Sequence, residues 1–227
     1  MESVKPAAPP VGPILQLKVR LLGTSPMIWR RVLVRDSMSL HELHGVVQLA
    51  MGWEGIHLFE FAVRGVRYAG PGLSGTSTDV ALLDFGFRRN VRFRYVYDMF
   101  CEWEHEIRVE ERLAAAPGKR YPRCVGGAGA CPPEDCGGPD AYHARREQAM
   151  GLDAMNDLAV VADTVERVLI DKDSSCLDDD DARWRLEVAV ERLDSHARFL
   201  ETAFSRGAVN RGFRAGDHRR LMHRQVY

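Results

Sequence analysis

VRFRYVYD, residues 91–98, alternates strictly: Val91, Phe93, Tyr95 and Tyr97 fall on one side of an extended chain, Arg92, Arg94 and Val96 on the other. Successive strand side chains point to opposite faces, so this period of two predicts a strand with one face toward a core. WEHEIRVEERL (103–113) repeats the alternation after a short connection and places Trp103, His105 and Ile107 on a shared face. Two such runs read as neighbouring antiparallel strands with a core side and a solvated side.

Working outward, ILQLKVRLLG (14–23) and IWRRVLVRD (28–36) predict a hairpin turning at Pro26. In SLHELHGVVQLAMGW (39–53) Leu40, Leu43, Val47 and Ala50 form the stripe of an amphipathic helix. Ser39 followed three residues later by Glu42 is a capping-box pattern. His41 and His44, at i and i+3, have chelating spacing but read as a solvated face of that helix. HLFEFAVRGVRYAG (57–70) predicts a strand, a turn at Gly65 and a second strand; 71–86 read as a loop with a short helix or turn. The order ββαββ predicts an α+β fold: a mixed or antiparallel sheet, β-grasp-like, with an early helix packed on one face.

A C-terminal helical part follows. Residues 139–151 read as a helix, and 152–170 carry the stripe Met155, Leu158, Ala162, Val165 and Leu169. Acidic residues 178–181 suit the positive N-terminus of a helix over 182–205, whose stripe is Leu186, Val190, Leu193, Ala197, Leu200 and Phe204. That narrow seam fits an intramolecular hairpin with 152–170 better than self-association, the alternative, because it is short. The expected division is a Pro/Ala-rich arm (1–13), an α+β domain (14–142, including a Cys-rich loop at 121–139) and a helical extension (143–227).

At 227 residues the chain buries roughly 70% of its unfolded surface on folding, so its core needs no disulfide staples. A net charge of -1 provides no global field for nucleic acid or anionic membrane. The N-terminus has no apolar segment of a secretory signal, and no run is long enough to span a bilayer. With five cysteines, an odd number, a reducing cytoplasmic location is the expectation rather than a closed disulfide framework.

Chemistry has few anchors. CVGGAGACPPEDCGGP (124–139) spaces its thiols Cys124-x6-Cys131-x4-Cys136. Zinc sites favour tighter pairs and four ligands, so a fourth would have to come from His105, His57, His44 or Asp98. On spacing alone a packing loop shaped by glycine and proline is the better reading. No G-x-S-x-G occurs, and a Cys124 or Cys136 nucleophile with a His105 base rests on residue types alone. No P-loop or strand-placed G-x-G-x-x-G occurs. The Arg-rich end, with Arg211, Arg214, Arg219, Arg220 and Arg224, suits phosphate contacts. A solvated or internally paired helix face is the alternative.

PMIWRRVLV (26–34), LHELHGVVQLAMGWEGIHLFEF (40–61), YVYDMFCEWEHEI (95–107) and YPRCVGGAGACPPEDCGGP (121–139) together resemble the Ri-plasmid ORF-3-like family. Some of its members are TnpR-labelled passengers of insertion elements. FSRGAVNRGFR (204–214) is similar to the C-terminal segment of that branch. The resemblance implies an α+β fold and association with mobile DNA. It implies that Asp98, Trp103, His105, Cys124, Cys131 and Cys136 occupy family positions. A shared Cys loop beside a W-x-H strand also raises the prospect of a structural zinc on Cys124, Cys131, Cys136 and His105. Phe59 stands where the family has a second histidine, and Cys101 where it has a second aspartate. His57, Asp98 and Cys101 would therefore form at most part of a polar or ligand site.

The resolvase label has little support. Ser25 with Arg30 and Arg31 is a superficial match, because the two arginines alternate along one strand. The expected function is a non-enzymatic accessory module of a mobile element, contacting a protein partner or itself through 182–205. The alternatives are a nucleic-acid-acting protein using the Arg-rich end, and a metal- or thiol-dependent enzyme at the Cys/His cluster.

Overall fold

The structure is a computed structural model; it describes residues 13–200 and 203–224. Most of the expected N-terminal arm therefore lies outside the described residues. In chain order the elements are β1 (Ile14–Leu21), β2 (Trp29–Arg35), α1 (Leu40–Met51), β3 (Phe59–Val63), β4 (Val66–Ala69), β5 (Thr76–Ser77), β6 (Arg92–Tyr97), β7 (Trp103–Leu113) and β8 (Arg123–Ala128). There follow α2 (Gly138–Ala149), α3 (Leu152–Val165), α4 (Asp180–Leu200), α5 (Arg206–Ala215) and α6 (Asp217–Leu221). The fold is α+β, with a mixed, mostly antiparallel sheet. It divides into two compact units: a sheet unit of residues through Cys131 together with those from Ala203, and a helical unit, Pro132–Thr202.

In the sheet unit eight strands run in the order β5-β4-β3-β6-β7-β1-β2-β8, a larger sheet than the ββαββ order predicts. All neighbours are antiparallel except β4 and β5. The alternation of β6 and β7 holds: Phe93, Tyr95, Tyr97, Trp103, His105 and Ile107 are all buried. Tyr95 sits opposite His105 and Tyr97 opposite Trp103. The opposite face is charged and wet. Glu60–Arg67, Glu104–Arg94 and Glu106–Arg92 pair across it. Glu110 takes Arg31, Arg108 and Gln16 at once, and Arg31 above all holds its carboxyl down at about 2.

Helix α1 covers the core face. It begins with the predicted capping box: Ser39 Oγ accepts from Glu42 N, and Glu42 Oε2 accepts from Ser39 N. It ends at Gly52 in the left-handed region. The burial is wider than a single stripe, because α5 and α6 pack on the side of α1 away from the sheet. A methyl on Gly45 would lie 2.1 Å from the His218 carbonyl oxygen, and one on Gly212 would meet Leu49. Glycine here allows close helix approach.

The sheet face, and not solvent, receives His44, which corrects the expectation that it is solvated. His44 is 0% exposed, stacks on Phe59 with ring centroids 3.7 Å apart, and has Nδ1 2.7 Å from the Tyr95 hydroxyl. Gln48 donates to the same hydroxyl. His41 is only partly covered, with its ring 5.3 Å from that of His223.

The Cys-rich segment is not wholly loop. Its first part is β8, paired with β2 through a bulge between Arg31 and Val32. Glycine is a poor strand former, but here neighbouring rings occupy the space of the missing side chains. Phe204 fills the place of a Cβ on Gly127, and Trp29 lies against Gly126. Phe204 therefore does not extend the α4 seam. It belongs to the sheet unit and lies 4.2 Å from the Arg30 guanidinium carbon.

The helical unit has α2 and α3 packed on α4, so an intramolecular hairpin forms, but not along the predicted stripe. Met155, Leu158, Val165 and Leu169 are about half exposed or more, as are Val190 and Leu200. Ala154, Asp157, Ala189 and Phe199 are buried instead. Asp179 caps α4 by accepting from Ala182 N.

Arg30 is 2% exposed and donates to three carbonyls: Ala50 O from Nε at 2.7 Å, and Trp29 O and Ala128 O from Nη1 at 2.9 Å. Burial pulls its pKa down, while the Cys131 and Cys124 thiols oppose that shift. Arg30→Met removes the donor shared by three inward carbonyls. It should lower stability by about 3 kcal/mol or more, read as a lower urea midpoint at unchanged m-value.

His105 is 0% exposed and its pKa is lowered to about 3, chiefly by burial. The backbone near Tyr95 and Trp103 offsets part of that shift. Between about 3 and its unfolded value of 6.5 only the unfolded chain takes the proton, so falling pH in that window favours unfolding. His105→Phe should remove up to about 1.4 kcal/mol per pH unit from the slope of stability against pH there. Urea titrations of both proteins at pH 7, 6, 5 and 4 measure it; parallel slopes would refute the assignment.

Candidate functional site: a basic cleft

The strongest constellation in the sheet unit is a cleft of about 730 Å³ between the segment Gly118–Arg123 and the α5–α6 corner. Arg35, Lys119, Arg120, Arg123, Arg214 and Arg219 line it, and no carboxylate does. None of these six cations makes an ion pair among the described residues. Mutual repulsion at this density is tolerated because five of the six are exposed and hydrated.

Local structure sets the cleft walls. The segment before β8 is held by Tyr121, whose hydroxyl accepts from Ala116 N at 3.2 Å and whose ring lies 5.7 Å below the Arg35 guanidinium. The other wall is fixed by Asn210 on α5. Its Oδ1 accepts from Cys124 N at 2.9 Å and its Nδ2 donates to Cys124 O at 2.8 Å. A side-chain amide thus completes the ladder of β8, an edge strand that would otherwise present open backbone groups. Ser205 caps α5 at its start, and Gly216, in the left-handed region, returns its N–H to the Gly212 and Phe213 carbonyls at its end. Those carbonyls are therefore already bonded where they approach the cleft.

Phe213 and His218 line the buried part of the cleft, their rings 5.6 Å apart edge to face. Burial, and then Arg219, hold the His218 pKa below the ordinary histidine value, against the pull of Glu42 and Asp217. Its Nδ1 is buried without a hydrogen-bond partner among the described residues.

The sequence-predicted residues divide sharply. Of the five arginines expected to meet phosphate, Arg214 and Arg219 line the cleft, while Arg211 is exposed elsewhere on α5. Arg220 pairs with Asp217, and Arg224 lies 3.1 Å from Glu54. Arg35, Lys119, Arg120 and Arg123 were not singled out. GKRYPR (118–123) carried a local signal in its three cations, but Arg35 lies more than eighty residues away in the chain.

The expected Cys/His set is dispersed. His105 lies in the core between Trp53 and Tyr95, at ring distances of 5.5 and 5.1 Å. Cys124 is buried, its thiol 3.4 Å from the Gly126 carbonyl and its pKa raised by burial. Cys131 is half-buried in the sheet unit; Cys136 is buried in the helical unit, where burial also raises its pKa. Among the described residues no three His, Cys, Asp or Glu side chains gather as a metal would require, and no disulfide forms. Asp98 builds the β6–β7 turn: at φ +60° its Oδ1 accepts from Phe100 N and Cys101 N. His57 Nε2 approaches Asp98 only to 3.9 Å. No described helix is long and apolar enough to cross a membrane.

Comparison with known proteins agrees with this architecture. The chain is 37% identical over 141 residues to the uncharacterised protein y4hQ of Sinorhizobium fredii (strain NBRC 101917 / NGR234), spanning 58% of this chain and 71% of that protein. It is similar to the crystal structure of MM3350, a protein of unknown function from Methanosarcina mazei Go1. That match has a TM-score of 0.56 and 32% identity, covering 62% of this chain and 83% of the other. The plasmid pRiA4b ORF-3-like protein family matches residues 13–157, which take in the sheet, α1 and the Cys-rich segment. The chain belongs to the plasmid pRiA4b ORF-3-like protein family.

Proposed function

We propose that this protein is an interaction module that grips the phosphates of nucleic acid in the cleft between Gly118–Arg123 and α5–α6. The observation that carries this reading is the convergence of six cations, unmatched by any lining carboxylate, in a chain whose net charge is only -1. Local charge of this kind attracts polyanions even where the whole molecule does not. Arginine predominates, and its planar fork matches phosphate oxygens two at a time. Contacts of this kind hold the backbone and carry little sequence information. An accessory role beside a mobile element is compatible with such a grip and is part of the same proposal.

Binding of a short fluorescent oligonucleotide should weaken steeply with salt, log K falling linearly with log salt concentration. Arg120→Ala and Arg214→Ala, both exposed, should each reduce that slope by about 1 and weaken all sequences alike. A slope unaltered by both substitutions would place any binding elsewhere. No binding at low salt would remove the reading.

A further inference from the structure

The cleft differs from a track that follows a nucleic-acid backbone. Its volume of about 730 Å³ is the size of sites for small ligands, roughly 300–1,000 Å³. Sites that follow single strands extend over about 4–16 nucleotides per domain. Three of the neighbouring arginines are already engaged. Arg220 is taken by Asp217, Arg224 by Glu54, and Arg206 reaches the Val125 carbonyl at 3.4 Å. Six cations on one small volume exceed the need of a single diester. They suit a phosphate monoester, whose charge at neutral pH is about -1.5 to -2, with a diester behind it.

Two features of the interior point the same way. His218 is 6% exposed and lines the cleft; its Nδ1 has no partner among the described residues and is shut off from solvent, so the ring has to turn for that nitrogen to meet a ligand. Buried polar groups of this kind are uncommon, and a phosphate oxygen is a partner suited to imidazole. Tyr121, fixed through its hydroxyl with Arg35 over one face of its ring, lines the cleft, and a base would stack on the other face.

Building on the nucleic-acid reading above, we infer that the cleft takes a nucleotide-sized phosphate monoester, the phosphorylated end of a strand rather than its interior, with His218 as the residue that distinguishes the two. Lys119, Arg120, Arg123, Arg214 and Arg219 supply the charge; His218 supplies a hydrogen bond once its ring turns toward the cleft. Free nucleotides share this chemistry, so the test separates them from strand ends.

Anisotropy titrations at one salt concentration would use a short oligothymidylate in 5′-phosphorylated, 3′-phosphorylated and unphosphorylated forms, with thymidine 5′-monophosphate as competitor. One phosphorylated end should bind about tenfold tighter than the bare strand, a difference of about 1.4 kcal/mol. Equal affinities would overturn the inference and leave backbone binding standing. No binding by any strand would overturn both. Competition by the mononucleotide at the affinity of the phosphorylated strand would keep the cleft chemistry and overturn the nucleic-acid reading. His218→Asn should erase the preference for the phosphorylated end while salt-dependent binding persists; a preserved preference would overturn the role of His218. Should that variant fail to fold, the exposed Arg219→Gln provides the second test, with the preference expected to shrink and an unchanged preference counting against the cleft.

Discussion

A single buried cation organises the sheet unit. Arg30 extends from β2 beneath α1 and donates to the carbonyl of Ala50, in the last turn of that helix, where carbonyls lack intrahelical partners and the helix dipole is negative. The same guanidinium reaches Ala128 on β8 and lies against Phe204, which leads into α5. Helix, edge strand and C-terminal segment thus meet at one charge. No carboxylate neutralises Arg30 among the described residues; carbonyl dipoles and a ring face do so instead. Such an arrangement requires all three elements to be in place together, because each missing carbonyl would leave the cation further desolvated.

The cleft follows from that anchoring. Once Phe204 is seated against Gly127, α5 runs beside β8, and Asn210 pairs with both backbone groups of Cys124. Gly45 and Gly212 then let α5 and α6 settle on α1 at close range. The corner between α5 and α6 is thereby brought opposite the segment Gly118–Arg123, and cations from three distant parts of the chain surround one volume. A cost of holding like charges together is a recurrent mark of binding sites, since nothing in folding rewards it.

The polar residues His44, His105 and Asp98 have a different role from the one their chemistry suggests. His44 and His105 are core histidines held neutral by burial, and Asp98 is a turn former whose carboxylate satisfies two backbone N–H groups. The exposed apolar surface of α3 and α4 is the converse case, in which residues that look like core lie outside. In both cases the deciding factor is which neighbour reaches the side chain first.

Much of the sheet unit was legible from local pattern. The period-two runs of β1, β2, β6 and β7, the capping box of α1 and the break at Gly65 depend on interactions within a few residues, and these the amino-acid order determines directly. What only the tertiary structure decided are features set by distant partners. The glycines of β8 form a strand because Phe204 and Trp29 fill their empty side-chain positions. His44 is buried because Phe59 and Tyr95 of the sheet meet it, and the helical unit buries Ala154, Asp157, Ala189 and Phe199 rather than the predicted stripe. The cleft belongs to the same class: GKRYPR and the arginines near the C-terminus were visible as charge, but their meeting with Arg35 was not. Periodicity reports the direction of a side chain from its own backbone; it carries no information on what the rest of the chain places opposite.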